Sequence, residues 1–225
     1  MQMGSFHWGL PIYINGRINR NLHEGYAMRD KYWTHNTAYH KWILKHISNS
    51  DHVLDVGCGD GLLVQKIAKI CNRVTGIEPH LPSALKARER LKNVENANIE
   101  SVPFEEYSSS TNTYDVIIFV ASLHHMDLEP CLIKAKELLA AEGRLLVVGL
   151  SKPEGFVDFS IECLRAVPAK LGSLIHGEKN GGNIGVPVQP PNLSLRQISN
   201  ITDIYLPNAK VHRGLYYRYL LSWVK

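Results

Sequence analysis

The nine residues Val53-Leu-Asp-Val-Gly-Cys-Gly-Asp-Gly61 constrain what this chain can fold into more than any other stretch. His52–Val56 is a short apolar run. It meets three glycines, Gly57, Gly59 and Gly61, and apolar positions then recur at helical spacing from Leu62 to Cys71. A short, nearly continuous apolar run reads as a strand buried on both faces. Glycines let the chain turn sharply and leave bare main chain for a ligand to lie against. The first turn of the following helix offers unpaired N–H groups. Such a strand–turn–helix belongs to a parallel α/β sheet, where ligands sit beyond the carboxyl ends of the strands.

The same alternation continues downstream. Arg73–Glu78 is expected to be a second strand. A helix over Pro82–Leu91 follows, with Pro at its start. Ala97–Ser101 gives a third strand, Asp115–Val120 a fourth and Arg144–Leu150 a fifth, with a helix over Pro130–Ala140 before the last and Glu142-Gly143 as its exit. An earlier helix is expected over Thr37–Ile47, from Trp42, Ile43 and Ile47. Strands alternating with helices imply a parallel sheet with right-handed crossovers and helices on both faces. The tail breaks this rhythm. Phe156 to about Ile175 reads as an amphipathic helix interrupted at Pro168, Gly177–Pro191 as a loop, and Leu195–Tyr205 as a helix. Ala209–Leu215 and Tyr217–Val224 read as strands joined too tightly for a parallel crossover, so they must be antiparallel. The expected fold is therefore α/β: a three-layer Rossmann-like sandwich on a mostly parallel seven-stranded sheet with an antiparallel C-terminal hairpin. The 225 residues suit a single domain. It divides into an N-terminal cap and helix (1–50), a core (51–150), an insertion (151–193) and a final helix with hairpin (194–225).

Composition excludes several classes. Charged residues make up 20% and the net charge is +4, with no Lys/Arg block, so nucleic acid is not an expected partner. The four cysteines, Cys58, Cys71, Cys131 and Cys163, form no C-x-x-C pair, and free thiols in a reducing compartment are expected. The eleven histidines lack ligand spacing, so no metal site is expected. No apolar run approaches the ~20 residues of a membrane span. The first twenty residues lack a signal-peptide pattern. A cytoplasmic protein, monomeric or homodimeric, is expected.

The ligand is narrowed by what surrounds the glycines. A dinucleotide turn reads G-x-G-x-x-G, but the sixth position from Gly57 is Leu62. Asp55, two residues before Gly57, would repel a pyrophosphate and suits an ammonium group. VLDVGCGDG resembles the first motif of class I S-adenosylmethionine-dependent methyltransferases. The resemblance extends over residues 35–150, through GIEPH (76–80), YDVIIFVASLHHM (114–126) and ELLAAEGRLLVVGL (137–150), and the terminal hairpin also resembles that fold. It implies methyl transfer from S-adenosyl-L-methionine, leaving S-adenosyl-L-homocysteine. Gly57, Cys58, Gly59 and Gly61 would wrap the methionine part and Asp55 would bind its amine. Glu78, with Pro79 beside it, would hold the ribose hydroxyls. An acid that family members often carry after strand three is missing from Ser101-Val102-Pro103-Phe104. Adenine contacts are therefore expected from Val102, Pro103 and Phe104, with Glu100 and Glu105 as the nearest acids. Val120 and Ala121 would line the pocket, and His35 and Tyr39, four residues apart, would cover it.

Methyl transfer needs positioning above all, and a base only where the acceptor must lose a proton. His124 and His125, directly after strand four, are the candidates, since histidine titrates near neutrality. The Asn/Asp-Pro-Pro-Tyr signature of N- and amide-methylating members is absent, which leaves a small-molecule acceptor as the expected partner. A nicotinamide-dependent oxidoreductase on the same sheet, and a catalytically silent S-adenosylmethionine-binding module, are the alternatives.

Overall fold

Seven strands form one sheet in the order β3-β2-β1-β4-β5-β7-β6 in the computed structural model. Residues 34–109, 113–154, 190–215 and 218–225 are described, and all belong to one compact unit. The strands are β1 (His52–Val56), β2 (Arg73–Ile77), β3 (Ala97–Glu100), β4 (Tyr114–Val120), β5 (Leu139–Leu150), β6 (Lys210–Arg213) and β7 (Arg218–Val224). The first five run parallel, and β7 enters antiparallel between β5 and β6. The helices are α1 (His40–Leu44), α2 (Leu62–Ile67), α3 (Leu81–Leu91), α4 (Leu128–Leu138) and α5 (Leu195–Tyr205).

Alternation along each strand divides the core in two. Leu54, Val56, Ile117, Phe119, Leu145 and Val147 pack on one side with Leu132 and Ala135 of α4 and Ile198 of α5. Val53, Val116, Ile118, Leu146 and Val148 pack on the other with Ile43 of α1, Val64 and Ile67 of α2, and Ala84 and Ala87 of α3. Each fully buried Leu, Ile or Val contributes about 1.5–3 kcal/mol. These two layers, and not local helix propensity, hold the short helices. The capping box of Ser194 and Gln197 starts α5.

Several boundaries differ from the sequence expectation. The helix expected over Thr37–Ile47 is a 3-10 turn, Thr37–Tyr39, followed by the five residues of α1. It stops early because Arg144 takes the His46 carbonyl at 2.8 Å and Asp51 takes the Ser48 N–H at 2.6 Å. Helix α2 ends at Ile67, not Cys71. Helix α4 ends at Leu138, where Leu139 already pairs with Tyr114, and a register shift then brings Arg144 opposite Val116. The expected exit at Glu142-Gly143 is thus an irregularity within β5, with Glu142 at φ +59°. Strand β7 is described from Arg218, and its expected first residue, Tyr217, lies outside the described residues. The expected helix over 156–175 and the loop over 177–191 lie almost wholly outside the described residues, as does Cys163. Cys58, Cys71 and Cys131 are free and buried. Among the described residues, no helix is long and apolar enough to cross a membrane.

Candidate functional site

The glycine turn sits at the carboxyl edge of the sheet, between β1 and α2 and next to the end of β4. Gly57, Gly59 and Gly61 all have positive φ (+74°, +57° and +76°), a region in which a side chain is strained. Packing separates their roles. A Cβ on Gly57 would lie 2.5 Å from the Cβ of Ser122, and one on Gly61 would lie 2.9 Å from the Cβ of Ala87 on α3. A Cβ on Gly59 would meet nothing within 4 Å. Gly57 and Gly61 are small because protein packs on them, whereas Gly59 presents bare main chain to open space.

Four sets of hydrogen bonds fix the turn. The Gly57 and Cys58 N–H groups donate to the Ile77 carbonyl at 2.8 and 3.0 Å. Glu78, just beyond β2, accepts from Gly59 N–H at 2.9 Å through Oε2 and from His80 N–H at 2.9 Å through Oε1. Arg90 of α3 donates to the Asp60 carbonyl at 2.8 Å and to its carboxylate at 2.6 Å. Ser122 Oγ donates to the Val56 carbonyl at 2.6 Å. Sequence reading missed the last two residues. Ser122 lies 66 positions from its partner and Arg90 lies 30 from its own, and no local pattern marks either.

Two carboxylates are buried beside this turn: Asp55 is 2% exposed and Glu78 is 7% exposed. Burial, and then the charge of Glu78, push the Asp55 carboxyl up from 3.8 to about 7. Burial also pushes the Cys58 thiol well above its ordinary range, so it is an inert neighbour and not a nucleophile. A cavity of about 140 Å³ opens next to the turn, a size that admits one aromatic ring. Val56, Gly57, Ile77, Pro79, Val102, Pro103, Phe104, Glu105, His125 and Met126 line it. Phe104 also packs edge-on against Phe119, with centroids 5.3 Å apart, and so belongs to the core and the cavity together.

Of the residues singled out from sequence, Gly57, Pro79, Val102, Pro103, Phe104 and His125 share that cavity. Asp55, Cys58, Gly59, Gly61 and Glu78 do not line it and belong to the neighbouring turn, where Glu78 accepts from Gly59 N–H. Val120 ends β4, and Ala121 follows in a left-handed conformation at φ +52°, its N–H held by the Val148 carbonyl at 2.8 Å. A non-glycine residue there is strained, and strain of this kind gathers where a strand is re-aimed at a site. His35 and Tyr39 do not line the cavity. The Tyr39 hydroxyl donates to the Leu215 carbonyl at 2.6 Å, in the turn of the β6–β7 hairpin. Glu100 accepts from Asn98 at 3.1 Å and does not line the cavity, whereas Glu105 does.

His124 and His125 occupy a 3-10 turn, Leu123–His125, with ring centroids 4.0 Å apart. His125 is exposed at the cavity. His124 is half-buried, and its Nδ1 is buried without a hydrogen-bond partner. Burial first, then the neighbouring His125 and Arg218, hold its pKa down at about 4, so the ring is neutral near pH 7.

S-adenosylmethionine carries an ammonium, two ribose hydroxyls and a flat purine. The site offers it a buried carboxylate, a second carboxylate with lone pairs to spare, a ring-sized cavity and bare main chain at Gly59. The donor set fits.

Comparison with known proteins agrees. Residues 54–145 match the family model described as a methyltransferase domain. An uncharacterized methyltransferase of Mycobacterium tuberculosis is 27% identical over 177 residues, covering 76% of this chain and 85% of that protein. A ubiquinone biosynthesis O-methyltransferase of Acinetobacter baumannii is 31% identical over 111 residues, 48% of this chain and 42% of its own. Among solved structures, N-methyltransferase NodS from Bradyrhizobium japonicum with S-adenosyl-L-homocysteine has a TM-score of 0.57 at 15% identity, covering 84% of this chain and 86% of that chain. The YcgJ protein from Bacillus subtilis has a TM-score of 0.55 at 16% identity, covering 84% and 98%. Neither a nicotinamide-dependent oxidoreductase nor a silent binding module is favoured by these matches. With its sheet order and glycine turn, the chain has the fold of these S-adenosylmethionine-dependent methyltransferases, and its residues 54–145 match a methyltransferase domain.

Proposed function

We propose that this enzyme methylates a small molecule at an atom that loses a proton in the reaction, within the single domain read from its sequence. In this reading Asp55 receives the cofactor's ammonium, and Glu78 receives the ribose hydroxyls while bracing the turn at Gly59 and His80. Cys58 and Gly61 shape the turn around Gly57 and Gly59. Pro79, Val102, Pro103 and Phe104 enclose the purine. Val120 and Ala121 border the reacting end, and His35 and Tyr39 stand over it with the hairpin. When bound, S-adenosylmethionine supplies a methyl carbon made electrophilic by its sulfonium, and its departure leaves a neutral thioether.

His124 is the base in this reading. It is unprotonated at neutral pH and it follows the strained exit of β4. It takes the acceptor's proton as the acceptor atom bonds to the methyl carbon. His125 holds it by stacking and closes the cavity.

The observation that carries the reading is the combination at the turn: Gly59 open to a ligand, with two buried carboxylates beside it. Isothermal titration of S-adenosylhomocysteine into the wild-type chain, Asp55→Ala and Glu78→Ala tests it. Binding by the wild type and loss in both variants is expected. Equal heats in all three overturn the assignment.

A further inference from the structure

The two helical layers differ in charge. Over α1, α2 and α3, taken as residues 40–45, 62–69 and 81–92, there are eight lysines and arginines and one acid, Glu89. Helices α4 and α5, on the opposite side of the sheet, carry three basic and three acidic residues. The three basic helices pack on one side of the sheet, and α2 touches both α1 and α3. They make one wall of the molecule.

Internal pairing accounts for part of this charge. Arg90 bridges to Asp60 and Lys92 to Glu89, each at 2.6 Å. Lys41, Lys45, Lys69 and Lys86 are exposed, and none of the four joins an ion pair among the described residues. Helix dipoles favour cations at the closing turns of α1 and α2. They give no reason for Lys86, in the middle of α3. Such a wall repels itself, and it lowers the energy of an anionic surface laid against it.

The same wall holds apolar side chains in water. Leu81 and Leu85 of α3 are 54% and 53% exposed and lie one turn apart. Arg88 and Lys92 continue their line along the helix, while Ala84, Ala87 and Leu91 face the core. Leucines among cations discriminate between polyanions. A phosphodiester backbone offers them no partner. Trp42, the only Trp, Tyr or Phe on these three helices, is not exposed, so no ring stands ready to stack on a base. A bilayer with anionic headgroups takes both groups, the cations by charge and the leucines by shallow burial.

We propose that the α1–α2–α3 face docks on an anionic lipid bilayer, held by Lys41, Lys45, Lys69 and Lys86 and seated by Leu81 and Leu85. This does not depend on which acceptor is methylated.

The test is co-sedimentation of the full chain with phosphatidylcholine vesicles, with and without phosphatidylglycerol, over a range of salt. Each cation at an anionic surface adds roughly fivefold to affinity. Wild type is expected to bind the anionic vesicles at least tenfold more tightly than the neutral ones, and to lose that preference as salt screens it. Lys41→Gln/Lys45→Gln/Lys69→Gln/Lys86→Gln is expected to abolish the preference at an unchanged melting temperature, and Lys41→Gln/Lys86→Gln to halve it on a logarithmic scale. Leu81→Ser/Leu85→Ser is expected to weaken binding roughly three- to tenfold while the preference for anionic lipid stays. Ile133→Ser/Ile204→Ser, which removes exposed apolar side chains from α4 and α5, is expected to bind as wild type does. Equal binding to both kinds of vesicle overturns the proposal, and so does a preference that survives the four glutamines. Tighter binding to RNA than to anionic vesicles, with vesicle binding unmoved by Leu81→Ser/Leu85→Ser, overturns it too and reassigns the face to nucleic acid.

Discussion

Replacing Asp55 by Asn is expected to make the protein more stable and less able to bind its cofactor. Asp55 is 2% exposed, and without ligand its carboxyl is raised from 3.8 to about 7 by burial and by Glu78. At 1.36 kcal/mol per tenfold change, keeping it ionised at pH 8 costs about 4 kcal/mol. Asn keeps the shape, removes the charge and offers an amide N–H towards Glu78. The sign follows from proton counting. Between pH 3.8 and about 7 the folded state holds the proton more tightly than the unfolded chain, so wild-type stability falls as pH rises through that window. Below pH 3.8 both states are protonated and the cost vanishes. The melting temperature of Asp55→Asn should therefore match wild type near pH 4 and exceed it progressively up to pH 8, with a ceiling of about 10 °C for a domain of this size.

Binding moves the other way. An ammonium favours the ionised carboxylate, so the cofactor releases a proton from Asp55 and wild-type affinity should rise with pH up to about 7. The variant lacks the charge-assisted bond, and its affinity should fall by roughly 10–100-fold and become independent of pH over the same range. Thermal melts from pH 4 to 8, with titration of S-adenosylhomocysteine at each pH, read both effects. Parallel melting profiles for the two proteins, or undiminished affinity in the variant, refute the reasoning.

Glycine substitutions should divide by packing. Gly57→Ala drives its Cβ into Ser122 at 2.5 Å and should lower the melting temperature the more. Gly59→Ala meets nothing, so it should cost only the left-handed penalty of about 1–2 kcal/mol while abolishing most cofactor binding. Glu78→Ala leaves the Gly59 and His80 N–H groups without their acceptor, which should cost about 1–3 kcal/mol in denaturant unfolding. Arg144→Met strands the buried Asp51 carboxylate that it contacts at 2.7 Å. Loss of one partner of such a pair costs about 3–5 kcal/mol, measurable by calorimetry. Where His124 is the base, kcat at saturating cofactor and acceptor should show its acid limb near pH 4 and not near 6.5. His124→Asn should lower that rate by about 10²–10⁴-fold.

The two halves of the site differ in how far sequence could reach them. Strands β1, β2, β4 and β5 were legible because each is buried on both faces, which writes a continuous apolar run. Asp55, the glycines and Glu78 were legible because one strand–turn–helix and the next strand carry them all within 24 consecutive residues. The other half is assembled from distant pieces. Asn36 accepts from Arg218 across 182 positions, and Tyr39 and Leu215 lie 176 apart. No period or motif links such pairs, so the bond from the Tyr39 hydroxyl to the hairpin turn leaves no mark in the sequence. The β5 irregularity was hidden for the same reason, since the pairing of Leu139 with Tyr114 is decided across the sheet and overrides the helical spacing that runs up to it. Even the legible half was read too evenly. Three glycines in a row of alternate positions invite one explanation, yet Ser122 dictates the first and Ala87 the third. Only Gly59 is small without protein packed upon it, and a residue whose size the fold does not dictate is the one a ligand must account for.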